Sequence, residues 1–267
     1  MQYENLSCER AGPVLTVTLN RPAKLNSLSL GLLRDLLACA EAIRNDKELR
    51  AVVLTGAGRG FCAGADLTDP ESPPAPGETL GQYVAGRLRK FYNPVALQWT
   101  DLPIPLVVAV NGVAAGAGVS LALLGDITLA ARSATFAVLF APRLGLAPDM
   151  GATHFLATRI GPARARALAM TGEAVTAEQA ERIGLVAACV DDAELAARAQ
   201  ALAEMLAASP TQAMLAVRRL VGHADVRDLP GQLEREAAEQ QRLGDSADFA
   251  EGLAAFREKR AARFRGR

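Results

Sequence analysis

The sequence predicts an α/β fold, in which short apolar strands lead into glycine-rich turns and then into helices. Val14 to Leu19 mixes apolar residues and threonines with a period of two, which is typical of a half-buried strand. Ala51 to Thr55 and Leu106 to Val110 are short apolar runs, and each leads directly into a glycine-rich turn. Because the order of strand, turn and helix repeats, we expect the functional loops to lie where strands end.

The first helix is predicted to begin after Ser29, whose hydroxyl can cap its free N–H groups. Its apolar residues recur at helical spacing, at Leu32, Leu33, Leu36, Leu37, Ala40 and Ile43. Further strands are predicted at Ile127 to Ala131 and at Leu185 to Val190. From about Gly161 onward the pattern becomes mostly helical. Helices are predicted to begin near Pro162, Thr176, Ala193, Pro210, Leu229 and Ser246.

Two segments between these elements have an unusual composition. Asp69 to Gly77 contains four prolines in nine residues and is predicted to be a surface loop, either covering a site or representing a tolerated insertion. Leu102 to Gly125 has no charged residue and is long enough to span a bilayer, but prolines and glycines interrupt it. A buried strand, a turn and a buried helix explain it better, so we expect no membrane partner.

Composition narrows the possible partners and sites. Lys plus Arg and Asp plus Glu are equal at 29 each, and aromatic residues make up 4%, so nucleic acid is not expected as a partner. The chain has no CxxC pair and two histidines, His154 and His223, which argues against a zinc site. The four cysteines are widely spaced and the first ten residues are polar, so we expect reduced thiols and a cytoplasmic protein.

Two glycine-rich loops, Arg59 to Leu67 and Ala109 to Gly118, are the main candidates for a binding site. Neither matches a dinucleotide fingerprint, because Phe61 and Leu121 occupy its sixth position, and neither contains the GK[ST] of a phosphate-binding loop. Small residues let a ligand approach the backbone closely, and two N–H groups converging on one oxygen form an oxyanion hole. The alternative is that both loops are ordinary tight turns.

With these loops, several shorter motifs make the sequence resemble the crotonase (enoyl-CoA hydratase/isomerase) superfamily. They occur in family order across nearly the whole chain: Asn20-Arg21-Pro22 with Lys24, Asn26 and Ser27; Leu144 to Pro148; Thr171-Gly172-Glu173; Ile183 to Val186; and Glu251-Gly252 with Phe256, Glu258, Lys259 and Arg260. The resemblance implies a crotonase-like spiral of repeated β-β-α turns, over about residues 1–200, and a C-terminal helical region, 201–267. It also implies a homotrimer or a dimer of trimers.

The resemblance further implies roles for individual residues. The N–H groups of Ala65 and Ala117 are expected to hold the thioester oxygen. The coenzyme A channel is expected to be lined by Ala23, Lys24, Ala63, Ala65, Asp66 and Leu67. For Asp66 we expect a structural role, pairing with nearby backbone. Lys259 and Phe256 are expected to close over the adenine end of coenzyme A, with the helices of the C-terminal region serving oligomerisation. Since coenzyme A is part of the substrate, no separate cofactor is expected.

The acidic residues of the candidate site distinguish between the family's reactions. Hydratases of this family use two glutamates, but here Ser120 occupies the first position and Phe140 or Ala141 the second. No Asp or Glu occurs between Asp126 and Asp149. Asp149 lies where some family isomerases place their acidic residue, and one carboxylate can move a proton from C2 to C4. We therefore predict double-bond isomerisation with Asp149 as acid and base.

Several alternatives remain open at the level of sequence. Asp149 is also a favoured helix N-cap residue, and a helix N-terminus would lower its pKa. An apolar wall would raise that pKa instead, and its candidate residues are Phe136, Val138, Leu139 and Phe140. Ser120, followed by Asp149 and His154, suggests a serine hydrolase as a remote alternative. Thioester hydrolysis, hydration without the two glutamates, and acyl-CoA binding with little turnover are the others.

Overall fold

The computed structural model describes residues 2–69, 74–222 and 228–266. His223 and residues 70–73 of the proline-rich loop lie outside the described residues. The strands are β1 (Leu6–Ala11), β2 (Val14–Leu19), β3 (Ala51–Gly56), β4 (Gly60–Cys62), β5 (Leu106–Val110), β6 (Val113–Ala115), β7 (Ile127–Ala131), β8 (Thr135–Ala137), β9 (Val175–Thr176) and β10 (Ala188–Val190). The helices are α1 (Leu30–Asn45), α2 (Leu80–Arg87), α3 (Asn93–Thr100), α4 (Ala117–Ala122), α5 (Ala152–Thr171), α6 (Ala177–Arg182), α7 (Leu195–Ala207), α8 (Thr211–Gly222), α9 (Leu229–Gly244) and α10 (Ala247–Glu258).

The strands form two separate sheets, and successive segments of the chain contribute strands to both. The larger sheet has the order β1-β2-β3-β5-β7-β10, and the smaller has the order β4-β6-β8-β9. Each turn of the chain adds one strand to the larger sheet and the next strand to the smaller one, as with β3 and β4, then β5 and β6, then β7 and β8. A helix follows before the next turn begins. This confirms the predicted spiral of β-β-α turns.

Most of the predicted elements have the expected bounds. The strands at Val14–Leu19, Leu106–Val110 and Ile127–Ala131 match in full, and the hydroxyl of Ser29 accepts a hydrogen bond from the N–H of Leu32 at 3.1 Å, as a cap. The last strand is shorter than predicted and begins at Ala188. A break at Gly161 (φ 77°) divides α5, so a helical segment does begin at Pro162.

The sequence patterns did not indicate the three-residue strands β4, β6 and β8, which lie inside or beside the glycine-rich loops. These strands are too short to show a period of two. They exist because each pairs with its neighbour in the smaller sheet, in parallel from β4 to β6 and from β6 to β8. The smaller sheet therefore holds the two glycine-rich loops side by side.

The core lies between the larger sheet and the helices that cover it. Strand β5 is buried along its whole length, as expected for a central parallel strand, and α7 packs against β3 and β5. Among the described residues, no helix is both long enough and apolar enough to cross a bilayer.

The C-terminal helices continue from this core. The boundary predicted at residue 200 falls within α7, which packs on the larger sheet. Beyond it, α8 packs against α9, and α9 against α10. The carboxylate of Asp248 accepts the N–H groups of Arg265 and Gly266 at 2.6 and 2.7 Å, which holds these two residues against α10. The division into two domains, the oligomeric state and the role of the C-terminal region in assembly stay predictions.

Candidate active site

The first glycine-rich loop is held by the Asn20-Arg21-Pro22 motif and the residues that follow it. The buried side chain of Asn26 donates to the carbonyl oxygens of Ala57 and Gly60 at 2.9 and 2.8 Å. Its own amide oxygen accepts the N–H of Arg21 at 2.8 Å. Since each polar atom of the amide has a partner, burial of this side chain stabilises the loop rather than costing free energy.

The second loop packs backbone against backbone on the first, which requires glycine. A Cβ atom at Gly112 would lie 2.2 Å from the carbonyl oxygen of Arg59, and one at Gly118 would lie 2.0 Å from that of Cys62. Asn111 completes the connection, because its side chain accepts the N–H of Gly56 at 3.0 Å and donates to the carbonyl oxygen of Gly58, just before the first loop, at 2.9 Å. The glycines thus permit contact between the loops.

The two loops come closest at Gly64 and Gly116. Gly64 has a φ of 93°, and a Cβ there would lie 2.7 Å from the carbonyl oxygen of Ala115 and 3.4 Å from the nitrogen of Ala117. A Cβ at Gly116 (φ 52°) would lie 3.9 Å from the Cα of Gly64. The peptide groups that link Gly64 to Ala65 and Gly116 to Ala117 therefore lie beside each other.

Neighbouring hydrogen bonds explain why these two amides stay available. Leu28 donates its N–H to the oxygen of Gly64 at 2.7 Å and accepts the N–H of Asp66 at 3.1 Å, so the peptide N–H of Ala65 between them faces away from this pairing. Ala117 begins α4, where the first N–H groups have no partner within the helix. Among the described residues, neither amide has an acceptor. An oxyanion hole requires two such donors.

The residues predicted to line the coenzyme A channel lie on two neighbouring segments. Ala23 and Lys24 are exposed in the 3₁₀ turn Pro22–Lys24, and Ala63 donates its N–H to the oxygen of Leu25 at 2.9 Å. Leu67 is 74% exposed beyond the first loop. The hydrogen bond between Ala63 and Leu25 thus holds the segment with Ala23 and Lys24 next to the first glycine-rich loop.

Asp66 has the structural role that we expected from its position. Its carboxylate accepts the N–H and the hydroxyl of Thr68 at 3.1 and 2.7 Å. It also accepts the guanidinium of Arg21 at 2.9 Å, a contact that the sequence pattern did not indicate. These hydrogen bonds and the positive charge lower the pKa of Asp66 against the effect of partial burial. Asp66 is therefore a fixed anion beneath the loop.

Lys259, the remaining predicted contact to coenzyme A, lies at the end of α10. It has a φ of 53° and is exposed, and Phe256 on the same helix is 84% exposed. The predicted closure of these two residues over the adenine end stays a prediction.

Asp149 lies in the segment before α5 and has an unusual carboxyl group. Its Oδ1 atom is the one buried side-chain oxygen in the described part of the chain that has no hydrogen-bond partner. Burial raises the pKa of Asp149 from its ordinary value of 3.8 to about 6. Of the two directions that the sequence left open, the pKa therefore moves upward, with burial as the cause. A carboxyl group with a pKa near neutrality can both take up and release a proton.

The backbone around Asp149 excludes the helix-cap alternative. Met150 and Gly151 have φ values of 51° and 84°, and Gly151 occupies the N-cap position of α5 without any side-chain cap. The carboxyl group of Asp149 therefore does not cap α5. A left-handed conformation at a residue other than glycine costs roughly 1 kcal/mol, and such strain concentrates at functional sites.

Ser120 is part of this arrangement, but not as a nucleophile. Its side chain is completely buried, and its hydroxyl donates to the main-chain oxygen of Asp149 at 2.9 Å. His154, the base that a hydrolase would need, is exposed on α5 and is not hydrogen-bonded to Ser120. The serine hydrolase alternative is therefore wrong. Because Ser120 and Ala117 share the short helix α4, the bond ties Asp149 to one of the two free amides.

Phe140 and Ala141, the two candidates for the second glutamate position of the hydratases, differ in burial. Phe140 is buried at the start of a π-helical turn, Phe140–Leu144, and its ring tip would lie 4.0 Å from a Cβ at Gly116. Ala141 is exposed. An apolar ring thus stands beside the second loop.

Tyr92 is a residue at this site that the sequence patterns did not reveal. It is 5% exposed, and its hydroxyl donates to the oxygen of Leu28 at 3.4 Å. It follows α2 in a π-helical turn, Leu88–Tyr92, and no simple helical periodicity predicts which way a residue after such a turn faces.

Comparison with known proteins agrees with this geometry. The family model for enoyl-CoA hydratase/isomerase matches residues 9–267. The chain belongs to the enoyl-CoA hydratase/isomerase family. Among its relatives, the 1,2-epoxyphenylacetyl-CoA isomerase of Escherichia coli is 45% identical over 255 residues, covering 95% of each chain. A probable enoyl-CoA hydratase of Rhodobacter capsulatus is 40% identical over the full length of both chains, 267 residues here.

Solved structures of this family also share the fold. The crystal structure of an enoyl-CoA hydratase from Bacillus anthracis has a TM-score of 0.89 and 32% identity, with 99% of this chain and 100% of the other chain covered. The family acts on acyl-CoA thioesters, so the two glycine-rich loops and Asp149 are to be considered with such a substrate. Hydratases and isomerases both occur among the relatives, and the choice between them depends on the carboxyl groups of the site.

Proposed function

We propose that this protein is an isomerase that shifts a double bond within the acyl group of an acyl-CoA. The observation that carries the proposal is the partly buried carboxyl group of Asp149, whose buried Oδ1 atom has no hydrogen-bond partner and whose pKa is raised to about 6. It is supported by the absence of both hydratase glutamates, because the resemblance places Ser120 at the first of their positions and Phe140 or Ala141 at the second. The E. coli relative named as an isomerase of an acyl-CoA agrees with this choice.

In the proposed reaction, the N–H groups of Ala65 and Ala117 donate to the thioester oxygen. The carboxylate of Asp149 takes a proton from C2 of a 3-enoyl thioester, and the electron pair of the broken C–H bond moves toward the thioester oxygen. The two amides stabilise the resulting dienolate, and each such donor contributes about 3 kcal/mol to transition-state stabilisation in comparable sites. The carboxylic acid then returns the proton to C4, which leaves the double bond between C2 and C3.

Other residues hold these groups in place. The hydroxyl of Ser120 fixes the main chain of Asp149 relative to α4, and Asn26 and Arg21 fix the first loop. Hydration would need a second group to position water, and neither Phe140 nor Ala141, the candidates for that position, is acidic. In this scheme coenzyme A enters as part of the substrate, held along Ala23 and the neighbouring residues of the predicted channel.

A side-by-side assay of the purified protein tests the proposal. One reaction follows isomerisation of 3-hexenoyl-CoA, and the other follows hydration of 2-hexenoyl-CoA, with wild type and Asp149→Asn. We expect isomerisation to exceed hydration, and the substitution to lower isomerisation at least a hundredfold while acyl-CoA binding is kept. Hydration as fast as isomerisation would favour the hydratase alternative, which the R. capsulatus relative's name represents. An unaffected Asp149→Asn variant would contradict the mechanism.

A further inference from the structure

Arg21 connects the two chain segments that flank the amide of Ala65. Its guanidinium donates to the main-chain oxygen and the hydroxyl of Ser27, and to the carboxylate of Asp66 at 2.9 Å. Ser27 directly precedes Leu28, which pairs with Ala65 as a parallel bridge. Asp66 directly follows Ala65. The guanidinium therefore joins both segments immediately beside this pairing, and only 19% of its side chain is exposed.

The charge of Asp66 is unfavourable for the chemistry of the loop that carries it. Although burial acts to raise it, the pKa of Asp66 is lowered by hydrogen bonds from Thr68 and Arg21, so the side chain is an anion at neutral pH. Covalent bond lengths place this carboxylate within about 9 Å of the nitrogen of Ala65. In the proposed reaction, negative charge develops on a thioester oxygen at that nitrogen. A second anion so close, with 6% of its side chain exposed, opposes this charge.

Arg21 supplies the opposite charge. Its guanidinium is protonated at any pH at which the protein is folded, so its contact with Asp66 makes the pair neutral as a whole. The two hydrogen bonds from Thr68 to Asp66 do not involve Arg21, so a protein without the guanidinium would keep an uncompensated anion beside Ala65. This effect differs from that of a purely structural ion pair, because it acts on a bound enolate and not on a bound neutral thioester.

We propose that Arg21 is a positioning residue of the oxyanion hole, which fixes the segments on both sides of the Ala65 amide and neutralises Asp66 as negative charge develops on the thioester oxygen. Arg21 acts through Asp66 and the first glycine-rich loop, without contacting the substrate. This inference rests on the proposed function for the placement of the thioester, and it adds a charge requirement to that function, outside the place of proton transfer.

Acetoacetyl-CoA is a probe of this charge effect that does not depend on turnover. It loses a proton from C2 to give an enolate, whose charge is shared by the thioester oxygen and which absorbs ultraviolet light. Absorption of the saturated complex against pH gives the equilibrium constant of this ionisation. Because the constant compares two forms of one bound ligand, the folded fraction and the overall affinity cancel. The variants are Arg21→Met and the double variant Arg21→Met/Asp66→Asn.

We expect Arg21→Met to lower this constant about tenfold, because the anion of Asp66 then opposes the enolate. The double variant should return it to within about threefold of wild type, since neither charge remains, and the residual loss measures the lost contact between the two segments. Isomerisation of 3-hexenoyl-CoA should show the same order in kcat. KM should change less than about threefold, because the thioester carries no charge before it reacts.

The ion pair of Arg218 with Asp126 provides a matched control. Its shortest contact is 2.6 Å, and the two side chains are 22% and 24% exposed. Asp126 also accepts the N–H of Leu106 at the start of β5, whereas the second glycine-rich loop lies at the other end of that strand. Arg218→Met and Arg218→Met/Asp126→Asn should lower the melting temperature and leave the ionisation constant within about twofold of wild type.

The remaining outcomes separate this inference from the proposed function. An ionisation constant that Arg21→Met leaves within twofold of wild type overturns the inference and leaves the isomerase proposal standing. A constant that falls in Arg21→Met and is no higher in the double variant overturns the charge effect as well. Absence of isomerisation, together with a constant that falls in the single variant and recovers in the double variant, contradicts the isomerase proposal and supports the role of Arg21.

Discussion

Replacing Asp149 by asparagine should change the stability of the protein in a way that depends on pH. The folded protein raises the pKa of this carboxyl group from 3.8 to about 6, because burial disfavours its charged form. Between these two values the folded chain binds more protons than the unfolded chain does. The contribution of Asp149 to stability is therefore fully present below about pH 3.8 and is lost as the pH rises through about 6.

The size of this loss follows from the pKa values. A pKa moved from 3.8 to about 6 corresponds to about 3 kcal/mol at pH 7.5 if the whole shift acts on folding. The side chain is only partly buried, so solvent screens part of this energy, and we expect about 1–2 kcal/mol. Asparagine has nearly the same shape but no charge, so Asp149→Asn should be free of this pH-dependent penalty.

Urea unfolding of both proteins at pH 4.5 and pH 7.5 measures the effect. The free energy of unfolding of Asp149→Asn, relative to wild type, should increase by about 1 kcal/mol between the two pH values, because about a third of the loss has already occurred at pH 4.5. Isomerase activity should report the same group, with kcat/KM of wild type falling below an apparent pKa of about 6 as the base becomes protonated. A stability difference that does not depend on pH, or an activity that persists unchanged to pH 4.5, would refute the assignment.

Two further substitutions test the loops and their support. Gly64→Ala would place a Cβ 2.7 Å from the oxygen of Ala115, so kcat/KM should fall at least a hundredfold. The control is Gly12→Ala, at a glycine that also has positive φ but where a Cβ would have no atom within 4 Å, and it should leave kcat/KM unchanged. Equal kcat/KM values in the two variants would show that the loop contact is not needed. Ser120→Ala removes a 2.9 Å hydrogen bond to the main-chain oxygen of Asp149, so kcat should fall about tenfold. Ser120→Thr retains a hydroxyl and should keep more activity. Total loss of activity in both variants would instead indicate that the hydroxyl takes part in the chemistry.

The elements that could be predicted from the sequence are those whose pattern is local. The cap at Ser29 and the strand at Leu106–Val110 depend on residues that are close in the chain, and both lie where they were predicted. The two glycine-rich loops could also be recognised from the sequence. Positive φ and close contact require glycine at Gly64 and Gly116, and this requirement is visible as glycine in the sequence. Their ordered motifs carried the resemblance to the family.

The remaining features depend on contacts between distant parts of the chain. Strands β4 and β6 form only because two distant loops pair with each other, Gly60 with Val113 and Cys62 with Ala114. The direction of the Asp149 pKa shift could not be read from the sequence, because it depends on how deeply the folded chain buries the carboxyl group. Tyr92 could not be identified from the sequence because it ends a π-helical turn, which changes the direction in which residues of the helix face.

A crystal structure of Asp149→Asn with 3-hexenoyl-CoA bound tests the central claim most directly. The distances from the thioester oxygen to the backbone nitrogens of Ala65 and Ala117 are the quantities to measure. Both should be roughly 2.7–3.1 Å, with the amide of residue 149 within reach of C2 and C4. A thioester oxygen bound elsewhere, or one that contacts neither nitrogen within about 3.5 Å, would contradict the account.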